Sequence, residues 1–198
     1  MFYHIDGGDL SGKSTVALQI SKQLNIELRY QSFLTKGLNP VRESIVKLYD
    51  TLDDETLGHL FAEAIRFDCK NLDPQSPLFI QDSLTLIRSL ACHQVYKNYN
   101  VVSHLLSIFN LNHPKPLKSY TLVASLDVKL ERYNQRLLHS PETITKSDSK
   151  IISNPLEFQE IEKMIVGYST KMFNSKIICT DDLRIDDVVQ IIIQDISN

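Results

Sequence analysis

Short apolar runs alternate with longer amphipathic stretches along this chain of 198 residues. The apolar runs have the length of β-strands and lie at residues 2–5, 26–30, 78–82, 120–125 and 176–179. Between them, apolar residues recur three or four positions apart, as they do on one face of a helix. Strands that alternate with helices are typical of βαβ units. The pattern predicts an α/β fold in which a five-stranded parallel sheet lies between helices.

One interval breaks this alternation. Residues 140–153 show no apolar periodicity and are rich in Ser and Thr, which predicts a polar loop. The loop ends at a helix start, because Asn154 is a favoured N-cap residue, Pro155 suits the first helical position and Glu157 follows three residues after the cap. The chain contains no repeat and no linker, so we expect one domain over residues 1–198.

The composition is that of an ordinary globular protein. Hydrophobic residues make up 42% of the chain and charged residues 23%, and the net charge is -3. This balance gives no basic surface for a nucleic-acid polymer, and no apolar run has the length of a membrane span. The three cysteines are too scattered for a zinc site or a disulfide framework. We therefore expect a cytoplasmic protein whose partners are neither nucleic-acid polymers nor membranes.

A glycine-rich segment lies between the first predicted strand and the first predicted helix. It fits the phosphate-loop pattern G-x-x-x-x-G-K-[ST]. Glycines let successive backbone N–H groups point at a phosphate, and the positive end of the helix faces the same anion. We expect Lys13 to bridge the β- and γ-phosphates of ATP and Ser14 to bind Mg²⁺. The expected nucleotide-binding residues are Gly7, Gly8, Asp9, Leu10, Ser11, Gly12, Lys13, Ser14 and Thr15.

A further acid is expected beside the magnesium ion. The apolar run at residues 78–82 ends in Asp82, and parallel strands bring their carboxyl ends to one edge of a sheet. Asp82 is therefore a candidate for the metal-linked acid or for a general base. The alternative is that Asp82 or Ser83 caps the next helix.

Two arginines precede the polar interval. Arg132 and Arg136 are four residues apart on a predicted helix, so their side chains share one face. With Lys146 and Lys150, they predict that residues of about 139–154 form a lid, and we expect the arginines to stabilise the charge of the transferring phosphoryl group. The alternative is a solvated helix face followed by a surface loop.

These segments resemble the thymidylate kinase family of nucleoside monophosphate kinases. The phosphate loop is similar to that family's E-G-x-D-G-x-G-K-S-T sequence, and Leu-Phe-Ala-Glu-Ala-Ile-Arg at residues 60–66 is similar to its L-F-A-x-x-R helix. Asp82 corresponds to the acid of its D-R-Y motif. Similar segments follow in the family's order along nearly the whole chain, at residues 5–15, 60–66, 82, 89–94, 126–136, 158–168 and 180–182.

The resemblance implies a three-layer P-loop NTPase sandwich that transfers a phosphoryl group from ATP·Mg²⁺ to a nucleoside monophosphate. It implies that Asp9 binds the 3′-hydroxyl of the acceptor sugar and that Phe61 and Arg66 hold the acceptor base. Asp181 is expected where the adenine of ATP binds. A homodimer is implied in the same way.

The chain departs from the family pattern where the acceptor phosphate would bind. Ser83 replaces the arginine of the D-R-Y motif, and residues 30–33 replace an R-E-P segment. Two arginines that hold the acceptor phosphate are therefore missing, and burying a dianion without cations is costly. Either another cation takes over, or the acceptor is a nucleoside without a phosphate. The candidate cations are Lys36, Arg42, Arg66 and Arg88.

Three functional hypotheses follow. The first is ATP-dependent phosphorylation of a nucleoside monophosphate or a nucleoside, with Lys13, Asp82, Arg132 and Arg136 as catalytic residues. The second is a degenerate relative that binds nucleotide in a regulatory role and transfers nothing, which the missing arginines favour. The third is a kinase for a metabolite that is not a nucleotide, because a fold does not by itself determine the acceptor.

Overall fold

The structure is a computed structural model that describes residues 1–33, 39–48 and 51–197. Within these ranges the chain forms five strands and nine α-helices. The strands are β1 (Phe2–Gly7), β2 (Glu27–Gln31), β3 (Phe79–Leu84), β4 (Lys118–Val123) and β5 (Lys176–Cys179). The helices are α1 (Lys13–Leu24), α2 (Pro40–Leu48), α3 (Asp54–Asn71), α4 (Thr85–Val95), α5 (Tyr99–Asn112), α6 (Leu126–His139), α7 (Lys146–Ser153), α8 (Pro155–Phe173) and α9 (Ile185–Ser197).

All five strands are parallel, in the order β2-β3-β1-β4-β5. Strand β1 is central, and its Ile5 lies opposite Asp82 of β3 and Tyr120 of β4. The predicted five-stranded parallel sheet is thus confirmed. Because the chain winds to both sides of β1, its carboxyl end opens into the crevice where such sheets bind ligands.

Helices cover both faces of the sheet. On one face, Ile20 of α1 and Val189 of α9 pack in the cluster that contains Ile5. On the other face, Ile87 of α4 and Ile165 of α8 pack with aromatic residues of β1 and β3. Helices α3 and α5 pack against the outer side of α4. No helix in the described part of the chain is long and apolar enough to cross a membrane.

The predicted start of α8 is confirmed. The Asn154 side chain accepts the backbone N–H of Glu157, and the helix begins at Pro155. This cap satisfies a donor that the first helical turn leaves without a partner.

The polar interval, by contrast, is not the loop that its composition predicts. A 3₁₀ turn (Pro141–Thr143) and helix α7 occupy most of it. The helix begins at a capping box, in which Thr145 and Asp148 each accept the other's backbone N–H through their side chains. Ile151 then packs with Leu10 and Phe158. The prediction was wrong because a helix of two turns that buries one isoleucine leaves no periodicity to detect.

A buried ion pair joins α6 to α8. The Lys129 side chain is 1% exposed, and its ammonium pairs with the carboxylate of Glu162. The ammonium also lies 5.4 Å from the centre of the Phe158 ring. Burial lowers the pKa of Lys129, and the charge of Glu162 opposes that change. A pair in such surroundings is costly to break, because removing one partner leaves an uncompensated buried charge.

We therefore expect Lys129→Met to lower the free energy of unfolding by about 3–5 kcal/mol, and Lys129→Met with Glu162→Leu to restore most of it. Urea denaturation measures both. The matched control is Lys176→Met, which removes a half-exposed lysine paired with Asp195 and should cost less than about 1 kcal/mol. Equal losses for the two lysine variants would contradict this account.

Candidate active site

The carboxyl ends of β1 and β3 open into a cavity of about 690 Å³, a volume usual for small-molecule sites. It extends from the phosphate loop past α3 and α4 to the residues around α7. Among the described residues, its lining carries four acidic side chains and, besides His93, four basic ones. These are Asp9, Asp54, Asp82, Asp148, Lys13, Arg88, Arg136 and Lys150.

The phosphate loop passes very close to β4. Gly7 has a φ of 149°, and a Cβ there would lie 2.3 Å from the carbonyl oxygen of Leu122. Gly12 has a φ of 88° and ends the loop. Helix α1 then starts with no side-chain cap and no acid in its first turn. Its first N–H groups and its positive end are therefore available to an anion.

The Lys13 side chain folds back over this loop. Its ammonium donates to the carbonyl oxygen of Gly8 at 3.2 Å and lies 3.6 Å from the carboxylate of Asp9. Lys13 also lines the cavity. A cation in this place faces any phosphate bound at the start of α1.

Asp82 lies beside Ser14 in the wall of the cavity. Burial raises the pKa of the Asp82 carboxyl, while a hydrogen bond from Ser14 and the charge of Lys13 oppose that rise. Strand β3 continues past this acid, and the N-cap of α4 is Leu84, which makes no side-chain cap. The alternative in which Asp82 or Ser83 caps the helix is therefore wrong.

Ser14 and Asp82 suit a magnesium ion. Hydroxyl and carboxylate oxygens are the ligands that Mg²⁺ prefers, and it usually takes one or two of them together with phosphates and water. The described residues contain no group of three or more His, Cys, Asp or Glu that would hold a metal alone. The donor set thus fits a metal that arrives with phosphates.

Asp9 connects the loop to two other elements. Nη2 of Arg88 on α4 lies 2.8 Å from both carboxylate oxygens, and the hydroxyl of Ser147 on α7 donates to one of them at 2.6 Å. Burial alone would raise the pKa of Asp9, but the charges of Arg88 and Lys13 outweigh it and lower the pKa. Asp9 is therefore ionised in neutral solution.

Polar groups outside the cavity contact the phosphate loop. The Asp6 carboxylate accepts the N–H of Gly7 at 2.8 Å and lies 3.2 Å from Nε2 of His4. Nδ1 of His4 is 2.9 Å from the hydroxyl of Ser119. On another side of the loop, a Cβ on Gly8 would lie 2.8 Å from Glu162, the acid of the buried pair. The loop is therefore held by charged groups that do not reach the cavity.

The two arginines of α6 have different partners. Arg132 donates to the carbonyl oxygens of Leu10 and Thr180, at 3.0 and 3.1 Å, and is not among the cavity-lining residues. Arg136 lines the cavity and donates to Asp148 of α7 at 3.3 Å. The structure thus places Arg136 at the predicted lid and Arg132 at the phosphate loop.

The predicted acceptor residues are only partly brought together. Phe61 and Arg88 line the cavity, whereas Arg66 is exposed, pairs with Glu63 and does not line it. Arg42 donates to Gln31 at the sheet edge and is not among the lining residues either. The remaining candidate cation, Lys36, lies outside the described residues.

Asp181 follows β5, away from the cavity lining. Its carboxylate accepts the backbone N–H of Ser125 at 2.8 Å and so joins β5 to the start of α6. A place beside adenine stays a prediction for this residue.

Sequence reasoning named Lys150 as part of the predicted lid but missed the polar residues that lie around it. Lys150 donates to Glu157 at 2.6 Å and to the Tyr96 hydroxyl at 2.7 Å. Tyr96 and Ser147 also line the cavity, and neither belongs to a motif. Only α7 itself left a signal, the T-x-x-D spacing of its capping box.

The lowered pKa of Asp9 predicts a pH-dependent stability. A carboxylate whose pKa falls on folding stabilises the folded state above its unfolded pKa of about 3.9, and this contribution is lost as the pH falls through the folded value. We expect Asp9→Asn to lower the free energy of unfolding by about 1.5–3 kcal/mol at pH 7. The difference from the unchanged protein should shrink below about pH 4.

Urea denaturation between pH 3 and 7 measures this difference. The control is Asp182→Asn, which removes an exposed carboxylate and should give a small difference that does not depend on pH. A loss for Asp9→Asn that stays constant over the whole range would show that the Asp9 charge does not cause it.

Comparisons with known proteins place this geometry among kinases of known structure. No family model matches the chain, and no curated protein matches it. Thymidylate kinase from Candida albicans is similar over 99% of this chain and 90% of its own, with 19% identity and a TM-score of 0.71. Thymidylate kinase from Ehrlichia chaffeensis is similar over 100% and 98%, with 18% identity and a TM-score of 0.65.

Deoxyadenosine kinase from M. mycoides is also similar, over 100% of this chain and 98% of its own, with 18% identity and a TM-score of 0.63. The likeness predicted from the motifs is therefore confirmed in three dimensions. The chain has the α/β fold of the P-loop thymidylate and deoxyadenosine kinases, with a strongly diverged sequence.

Proposed function

We propose that this protein is a phosphotransferase that moves the γ-phosphoryl group of ATP to a nucleoside or a nucleoside monophosphate. The observation that carries the proposal is the continuity of the cavity, which joins the phosphate loop to Phe61 and Arg88. The cavity has room beyond the phosphate loop for a second small molecule. The shared fold with thymidylate and deoxyadenosine kinases supports the same class of acceptor.

The donor side follows from the phosphate loop. The start of α1 and the backbone N–H groups of the loop bind the phosphates, and Lys13 neutralises the β- and γ-phosphates. Mg²⁺, held by Ser14 and Asp82, supplies further charge neutralisation when it is bound with ATP. Arg132 keeps the loop in shape through the carbonyl oxygen of Leu10.

In the transfer step, an acceptor oxygen bonds to the γ-phosphorus of ATP, and the bond from that phosphorus to the β,γ-bridging oxygen breaks. ADP leaves with the electron pair of that bond, and a hydroxyl acceptor releases its proton to water. Arg136 of the predicted lid lines the cavity and stabilises the charge on the equatorial oxygens. The protein contributes mainly position and electrostatics.

The second candidate function is nucleotide binding without phosphoryl transfer, because the Asp9 carboxylate is already engaged by Arg88 and Ser147. In that case the protein would bind nucleotide and act through a partner. The cytoplasmic location and the homodimer stay predictions of the sequence.

Lys13→Ala tests the proposal. Without this ammonium the negative charge of the β- and γ-phosphates is not neutralised, so we expect acceptor-dependent ADP release to fall by about 100-fold or more. The measurement is coupled ADP release with ATP·Mg²⁺ and a panel of nucleosides and nucleoside monophosphates. The matched control, Lys22→Ala, removes an exposed lysine from the last turn of the same helix and should leave the rate unchanged.

Calorimetric titration with ATP·Mg²⁺ separates the two candidates. ADP release with at least one acceptor, lost in Lys13→Ala, supports a phosphotransferase. Bound ATP with no release across the panel would rule out the nucleoside and nucleotide kinase and favour the binding protein.

A further inference from the structure

The acceptor side of the cavity is electrically balanced. Of its four lining cations, Lys13 belongs to the phosphate loop, and each of the other three has an acidic partner within the part of the chain that the structure describes. Arg88 pairs with Asp9 at 2.8 Å, and Arg136 pairs with Asp148 at 3.3 Å.

The third cation is neutralised in the same way. Lys150 pairs with Glu157 at 2.6 Å and also donates to the Tyr96 hydroxyl. These two bonds and the charge of Glu157 outweigh burial and raise the pKa of Lys150. Lys150 is therefore charged in neutral solution, and in this structure it is paired with Glu157.

Two further acids add negative charge to the cavity lining and so disfavour anions. Asp54 and Asp82 also line the cavity. Asp82 is the proposed ligand of the Mg²⁺ that binds with ATP. Asp54 lies at the start of α3, on the side of Phe61. Apart from Lys13, which the phosphates of ATP would engage, a second phosphate in this space would meet no cation of the described lining without an acidic partner.

A dianionic acceptor would have to break one of these pairs. Breaking it leaves a carboxylate beside the incoming phosphate, so the new attraction is offset by desolvation and by repulsion from the abandoned acid. A neutral acceptor has no such cost. It needs hydrogen-bond donors and acceptors, and a carboxylate next to a guanidinium provides both.

One nitrogen of the Arg88 guanidinium is not used in the pair with Asp9. Nη2 of Arg88 donates to Asp9, while its Nη1 is buried and has no hydrogen-bond partner among the described residues. Because the pair with Asp9 is neutral overall, this nitrogen offers a hydrogen bond without offering net charge. Such a donor suits a hydroxyl or carbonyl oxygen.

We propose that the acceptor enters without a phosphate, as an uncharged hydroxyl compound of nucleoside size, and that the Asp9–Arg88 and Lys150–Glu157 pairs exclude its monophosphate. The inference rests on the proposed phosphoryl transfer and specifies its substrate class. The reacting oxygen is then that of a sugar hydroxyl, and its product is a phosphate monoester.

Matched pairs of acceptors test this directly. Each of four nucleosides is compared with its own 5′-monophosphate in coupled ADP release with ATP·Mg²⁺, and kcat/KM is determined for both. We expect the nucleoside of the preferred base to exceed its monophosphate by about 100-fold or more. Turnover of a monophosphate as fast as its nucleoside, or faster, overturns the inference and leaves the phosphotransferase intact. No turnover of either, with ATP bound, overturns both.

Glu157→Gln tests the excluding pair itself. Glutamine keeps the shape of the side chain and its place in the first turn of α8 but leaves Lys150 with an uncompensated charge at the cavity wall. We expect the preference for nucleoside over monophosphate to fall by about tenfold, and the monophosphate to become a stronger competitive inhibitor.

The matched control is Glu160→Gln on the same helix, an exposed acid outside the cavity lining, which should leave the preference unchanged. Urea denaturation of both variants confirms that they are folded. A folded Glu157→Gln with the original preference and the original inhibition constant would overturn the role of this pair.

Discussion

The carboxylate of Asp9 is the interaction on which the rest of the site depends. It lies in the phosphate loop beside Lys13, and its other partners come from two distant elements, Arg88 on α4 and Ser147 on α7. Since α4 and α7 are far apart in the chain, one partly buried negative charge links both of them to the loop. The same charge cancels that of Arg88, so the geometry of the loop and the chemistry of the acceptor side are linked.

The sequence alone was sufficient to predict those features whose sequence signal is local. The phosphate loop follows from the spacing of Gly7, Gly12 and Lys13, and the central strands β1, β3 and β4 follow from apolar runs that the sheet buries on both faces. The start of α8 follows from three adjacent residues around Asn154. In each case the physical cause lies within a few residues of its effect.

The sequence alone was insufficient to predict contacts between side chains that are distant along the chain. Nothing near Arg88 indicates that Asp9, 79 residues away, neutralises it, and nothing near Lys129 indicates Glu162. Arg66 matched a family helix, yet it pairs on the surface with Glu63. Whether a cation reaches a ligand depends on the acid that lies beside it after folding, which spacing along the chain does not report.

The fold tolerates this degree of divergence because few of its requirements concern the acceptor. Gly7 packs closely against β4 and helices cover both faces of the sheet, although the chain is only 16–19% identical to kinases of the same fold. The acceptor side is built from side chains on α3, α4 and α7. These can change their charges while the loop stays as it is.

The contact between Ile151 and Leu10 has a consequence for the position of α7. Leu10 is 5% exposed, and it shares its apolar cluster with Ile151 of α7 and Phe158 of α8. Moving α7 outward uncovers these side chains, and burial of one such leucine is worth about 1.5–3 kcal/mol. The apolar contact therefore favours the position that α7 has in this structure, beside the phosphate loop.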